Sequence, residues 1–170
     1  SRPWITDADR AAVQAVLAQP MLAQGAQTRR FETEMAAWMG GDDGIALASG
    51  SCAITLALQT LDAPRAGSVV VPSYVCRSVL DAIRAADLRP RLCDSGPDWV
   101  VTADSVNAAV DAETVAIIVP HLYGLAADIG GITRIGPPVI EDCAQLVGHA
   151  CPGPMHAHAR VLSFHPTKCL

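Results

Sequence analysis

From Ile45 onward the chain repeats one texture: a short run of small apolar and β-branched residues, an amphipathic segment at helical spacing, then another run. That alternation is the βαβ signature. Strands that read as continuous apolar runs are buried on both faces of a parallel sheet. The expected strands are 45–49 (IALAS), 68–72 (SVVVP), 89–94 (RPRLCD), 115–120 (VAIIVP), 138–142 (PVIED) and 160–164 (RVLSF). Between them Ile54, Ala57, Leu58 and Leu61 mark one helix, Val79, Ile83 and Ala86 another, and Val106, Ala109 and Val110 a third. The fold class is therefore α/β with a mostly parallel sheet.

Two helices are expected ahead of the alternating region. Thr6 with Asp9 three residues on forms a capping box, followed by Val13, Val16 and Leu17 and stopped by Pro20. Phe31, Met35, Trp38 and Met39 give a second apolar stripe, ended by Gly40-Gly41. No repeat or low-complexity linker interrupts the chain, and 170 residues that are 51% apolar suffice for one core, so a single domain is expected. No apolar run approaches the roughly 18–20 residues that cross a bilayer, and SRPWITDADR has no apolar core of a signal peptide. The expectation is a cytoplasmic protein with no membrane partner. A net charge of -5 with scattered arginines argues against a nucleic-acid face. Six cysteines form no CxxC and sit in apolar segments, so they are read as reduced.

Ligands in open α/β sheets bind beyond the carboxyl ends of the strands, and three strand ends here carry unusual polar groups. In ASGSCAITLAL a strand runs into Ser49-Gly50-Ser51 and directly into a helix, whose first amides and positive dipole end suit a phosphate. Alternatively Ser49 or Ser51 is simply an N-cap. In VIEDCAQ two consecutive carboxylates end an apolar strand. Side chains alternate along a strand, so both cannot point the same way, and one of them needs a cation. The plainer reading makes Asp142 a cap and Glu141 a solvated neighbour. Third, the chain's only lysine, Lys168, follows the last strand, while the other eleven of its twelve basic residues are arginine. A surface lysine is the ordinary reading. A primary amine that must lose its proton and attack a carbonyl is a requirement that arginine cannot meet.

A phosphate cup, a carboxylate awaiting a cationic ring nitrogen, and a strand-end amine together describe the needs of pyridoxal 5'-phosphate (PLP). The segments FETEMAAWMG, ASGSCAITLAL, VPSYVC, PHLYGLAADI, IEDCAQLVG and SFHPTK resemble, in order and wording, the DegT/DnrJ/EryC1/StrS sugar aminotransferases, from about Arg2 to the last residue. The resemblance implies the large domain of PLP-dependent fold type I, the aspartate aminotransferase fold: a three-layer sandwich of which residues 1–170 form a truncated N-terminal part, with the C-terminal small domain absent. It also implies that Lys168 carries the cofactor, that Asp142 pairs with the pyridine nitrogen, that Gln145 lies near the ring hydroxyl, and that Ser51, Cys52 and Ser163 bind the phosphate. Cys76 stands where many members stack an aromatic ring on the cofactor, and a thiol offers no π-face. The implied reaction moves an amino group from an amino-acid donor, usually glutamate, to a keto group of a nucleotide-linked sugar, in a homodimer.

Rival readings are weaker. His156, His158, Cys143 and Cys151 fit no standard zinc spacing, so no metal is expected. His121 either lines the pocket or is a satisfied structural histidine, and Asp128 reads as a helix cap. Lys168 argues against the dehydratase relatives, which place histidine there. The other alternative is a catalytically incomplete remnant of the family with a binding or regulatory role.

Overall fold

The computed structural model describes residues 4–21, 23–146, 156–165 and 168. Helix α1 (Asp7–Leu17) starts at the expected capping box. Thr6 Oγ1 accepts from the Asp9 amide at 3.3 Å, and Asp9 Oδ2 accepts from the Thr6 amide at 2.7 Å. Its apolar stripe is not part of the core, because α1 lies over neither face of the sheet: no residue of α1 is buried, and Val13 and Leu17 are exposed. Helix α2 (Ala26–Met39) ends at Gly40, whose φ of 70° is a left-handed cap that glycine adopts without a Cβ clash.

The rest is a parallel sheet with helices on both faces. In chain order come α3 (Gly50–Gln59), β1 (Ser68–Pro72), α4 (Arg77–Ala85), β2 (Arg89–Cys93), α5 (Ala103–Ala109), β3 (Thr114–Pro120), a single 3₁₀ turn (Leu122–Gly124), α6 (Ile129–Thr133), β4 (Val139–Asp142) and β5 (Ala159–Val161). The strands lie in the order β2-β1-β3-β4-β5, all parallel. Alternate residues divide between two cores, as the pleat requires. Val69, Val71, Ala116, Ile118 and Ile140 pack with Ile54 and Leu58 of α3 and Val79 and Ile83 of α4. Val70, Ile117, Val119 and Val139 pack with Val106 of α5 and Ile129 and Ile132 of α6. Burying each of these Val, Leu and Ile side chains contributes about 1.5–3 kcal/mol. The central strands are thus apolar on both faces, which is why they read as unbroken runs.

One expected strand is absent. Residues 45–49 are extended, with Ser49 at φ -161° and ψ 161°, but they join no ladder among the described residues. The Ala46 amide donates instead to Glu32 Oε1 at 2.8 Å, and Ile45 and Leu47 are exposed. A strand exists only with a partner, and β5 has no described neighbour on its outer side.

Candidate active site

The strand order reverses between β1 and β3, which opens a crevice beyond their carboxyl ends. Cys76 follows β1, His121 follows β3, Asp142 ends β4, and Ser163 follows β5. Parallel strands deliver all four to one edge of the sheet, from positions spread over about half the chain.

Asp142 shares its side of β4 with Ile140, and so faces the α3/α4 layer. Its carboxyl is largely enclosed, and burial pushes its pKa above the ordinary aspartate range. The Ala144 amide, donating to Oδ1 at 3.0 Å, and the positive charge of Lys168 act in the opposite sense. The charges of Lys168 and Asp142 are also felt at the Cys76 thiol. These three residues therefore share one electrostatic neighbourhood. Lys168 is half-buried, its amide donating to His165 O at 2.8 Å, and the His165 amide lies 3.4 Å from Ser163 Oγ, which accepts from it.

Helix α3 begins beside the end of β5: a Cβ added to Gly50 would stand 3.9 Å from both Leu162 O and Val161 Cγ1. Ser49 is the N-cap, its Oγ accepting from the Cys52 amide at 3.2 Å. The capping role foreseen for one serine thus falls to Ser49, leaving the hydroxyl of Ser51 at the helix mouth. The amides of Gly50 and Ser51 have no intrahelical acceptor, and they sit at the positive end of the helix dipole. Ser51 and Cys52 also line an open groove of about 530 Å³ between α3 and α4, whose walls include Thr55, Ser78 and Asp81 but not Asp142.

Cys76 is the exposed N-cap of α4. The Ser78 hydroxyl donates to its Sγ at 3.1 Å, and this bond lowers the thiol pKa, helped by the Ser78 amide and Lys168. Gln145 Oε1 accepts from the Tyr123 amide at 3.0 Å, which turns the side-chain NH₂ of Gln145 to other partners. Tyr123 has φ 55°, a left-handed conformation, and its hydroxyl lies 2.6 Å from that of Tyr74.

Glu141 is fully buried, which overturns the solvated reading of that residue. It points away from Asp142 and is paired on β5: Arg160 Nε donates to Oε1 at 2.9 Å, and His121 Nε2 lies 3.0 Å from Oε2. Sequence reasoning missed Arg160. The available signal was an arginine opening the strand run 160–164, which a core tolerates only beside a carboxylate. His121 proves to be the satisfied structural histidine. His121, Glu141 and Cys143 have potential metal-ligand atoms within 4.8 Å of one another. Both ring nitrogens of His121 and both carboxylate oxygens of Glu141 are already hydrogen-bonded, so the donor set is that of a polar network. Cys151 of the weighed zinc set lies outside the described residues. Asp128 caps α6 as expected, accepting from the Gly131 amide at 3.0 Å. Of the described cysteines, Cys52, Cys76 and Cys93 are free thiols, and no described helix is long and apolar enough to cross a membrane.

The carboxyl edge of this parallel sheet, where open α/β folds take their ligands, thus carries a largely enclosed carboxyl, an amine and a helix N-terminus whose free amides suit an anion. Comparison with known sequences names the family. Residues 3–170 match the model of the DegT/DnrJ/EryC1/StrS aminotransferase family, and the chain belongs to it. The chain is 34% identical over 167 residues to dTDP-3-amino-3,4,6-trideoxy-alpha-D-glucose transaminase of Micromonospora megalomicea, covering 94% of this chain and 45% of that protein. It is 36% identical over 129 residues to UDP-N-acetyl-3-dehydro-alpha-D-glucosamine 3-aminotransferase of Acidithiobacillus ferrooxidans, covering 73% and 35%. The crystal structure of an aminotransferase from Psychrobacter cryohalolentis superimposes with a TM-score of 0.81 at 30% identity, covering 86% of this chain and 39% of that one. The chain thus spans less than half the length of the curated relatives it matches.

Proposed function

We propose that this chain carries the cofactor-binding part of a PLP-dependent aminotransferase that moves an amino group from an amino-acid donor, glutamate, to a keto group of a nucleotide-linked sugar. The observation that carries the reading is that Cys76, Asp142 and Ser163 stand at or just beyond the carboxyl ends of parallel strands, with Lys168 near enough for its charge to act on both Asp142 and Cys76. Two named relatives act on dTDP- and UDP-linked sugars, which supports the substrate class.

The residues present fit PLP. Burial raises the Asp142 pKa despite the opposing Ala144 amide and Lys168, and a protonated pyridine nitrogen bonded to the carboxyl would favour its ionised form. Asp142 would hold the proton on that nitrogen. Ser51, Cys52 and Ser163, with the open amides of α3, would bind the phosphate, and Gln145 would offer its NH₂ to the ring hydroxyl. Cys76 would contact the ring face through sulfur alone. When bound, PLP supplies an aldehyde that captures amines and a ring that accepts electrons. Lys168 would take a proton from the α-carbon of the donor and return one on the other side of the transfer, acting as base and then acid.

Borohydride treatment of the complete natural protein with PLP should fix the cofactor on Lys168, as peptide mass mapping would read. Lys168→Arg should keep the fold and lose the adduct. A labelled Lys168→Arg protein, or an unlabelled wild type, refutes the proposal.

A further inference from the structure

The two carboxylates that end β4 have opposite surroundings. Asp142 faces the proposed cofactor site, whereas Glu141 stands on the other side of the strand with no exposed surface. Both oxygens of Glu141 are engaged. Arg160 Nε donates to one at 2.9 Å, and the other lies 3.0 Å from His121 Nε2. The histidine tautomer follows from its other nitrogen: Nδ1 accepts from the Ala127 amide at 3.1 Å, so the proton is on Nε2 and points at Glu141.

This array is tied to the peptide of Asp142 from several directions. Glu141 and Arg160 are register partners across β4 and β5. The His121 amide donates to Asp142 O at 3.0 Å, and the Cys143 amide donates to Val161 O at 2.8 Å. Arg160 reaches further, donating from its terminal nitrogen to Met39 O at the end of α2. Helix α2 also meets the segment leading to Lys168, since Phe31 and Phe164 pack edge-to-face with centroids 5.0 Å apart. The charged cluster therefore links β3, β4, β5 and α2 behind the residues that face the site.

Stability alone does not call for such a choice. A well-packed apolar pair of similar volume is commonly as stable as a buried ion pair, or more so. What the pair adds is direction, because a planar guanidinium bonded to a carboxylate and a carbonyl fixes the angles between the elements it joins. We infer that the Glu141–Arg160 pair, braced by His121, is a positioning device that sets where the Asp142 carboxyl stands at the end of β4 relative to β5 and α2. Glu141 and Arg160 are positioning residues, and the inference rests on the proposed role of Asp142 in holding the ring nitrogen of PLP.

The test compares the complete natural protein with Arg160→Met and with the double variant Glu141→Gln/Arg160→Met. Three quantities are read: the melting temperature without cofactor, the affinity for PLP by absorbance titration, and the ring-nitrogen chemical shift of isotopically labelled PLP. The single variant, which leaves Glu141 buried without its guanidinium, should melt lower and bind PLP about tenfold more weakly, a loss of the size seen when partners behind metal-ligating residues are removed. The double variant buries no unpaired charge and should recover the melting temperature. It should retain the tenfold deficit in affinity, with the nitrogen shift moved toward the unprotonated ring. A double variant that recovers stability, affinity and shift together would show a purely structural pair and overturn the inference. One that melts as low as the single variant would overturn it too, by assigning the charges to folding. Failure of the unaltered protein to bind PLP is a separate result, which removes the proposed function and this inference with it.

Discussion

Asp142→Asn separates what the buried carboxyl costs the fold from what it does for the cofactor. Asparagine keeps the oxygen that accepts from the Ala144 amide at 3.0 Å, so the substitution removes little besides the charge. Burial raises the Asp142 pKa, so the folded chain holds this proton more tightly than the unfolded chain does. The folded state then binds more protons between the ordinary aspartate range and the raised value, and stability falls as pH rises through that window. Above it the full cost of an ionised, enclosed carboxylate is present, and asparagine escapes it. Without cofactor and near neutrality, Asp142→Asn should therefore be the more stable protein by about 1 kcal/mol, a moderate single-site effect. For a chain of this size that is roughly 2–4 °C in melting temperature. The advantage should vanish as pH drops below the ordinary aspartate range. With PLP the proposed role of Asp142 predicts the reverse order, because the substitution would remove a charge-assisted hydrogen bond to the ring nitrogen, worth about 1.5–3 kcal/mol. Affinity should fall roughly 10- to 150-fold. Calorimetric melting across pH, with and without PLP, reads both halves. An advantage independent of pH, or an unchanged PLP affinity, would refute the reasoning.

Two further outcomes follow from packing and thiol chemistry. Ile118→Ala deletes a fully buried side chain at the centre of β3 and should cost about 2–5 kcal/mol in denaturant unfolding; a cost under 1 kcal/mol would mean the sheet interior is not close-packed. Cys76 is exposed with its thiol pKa lowered by Ser78, whereas burial pushes Cys93 up to about 11, so maleimide at mildly alkaline pH should label Cys76 well before Cys93, as peptide mapping would show. Added PLP should slow labelling of Cys76 and leave Cys93 unchanged, and equal rates at the two thiols would count against the described placement.

Local signals in the chain were sufficient for most elements. Thr6 with Asp9, Gly40 and Asp128 marked helix ends because caps act within a few residues, and the runs 68–72 and 115–120 marked central strands because apolar residues on both faces leave no other place to sit. Of the candidate site, the types of group at the strand ends were legible, and so was the need of one carboxylate for a cation.

Which carboxylate, and which cation, only the tertiary structure decided. Glu141 finds Arg160 nineteen positions away because β4 and β5 are register neighbours, and no local rule encodes that pairing. The same cause removed the expected strand at 45–49 and left the stripe of α1 uncovered: secondary structure is proposed by neighbours in the chain, but hydrogen-bond ladders and buried faces exist only where a second element arrives to complete them.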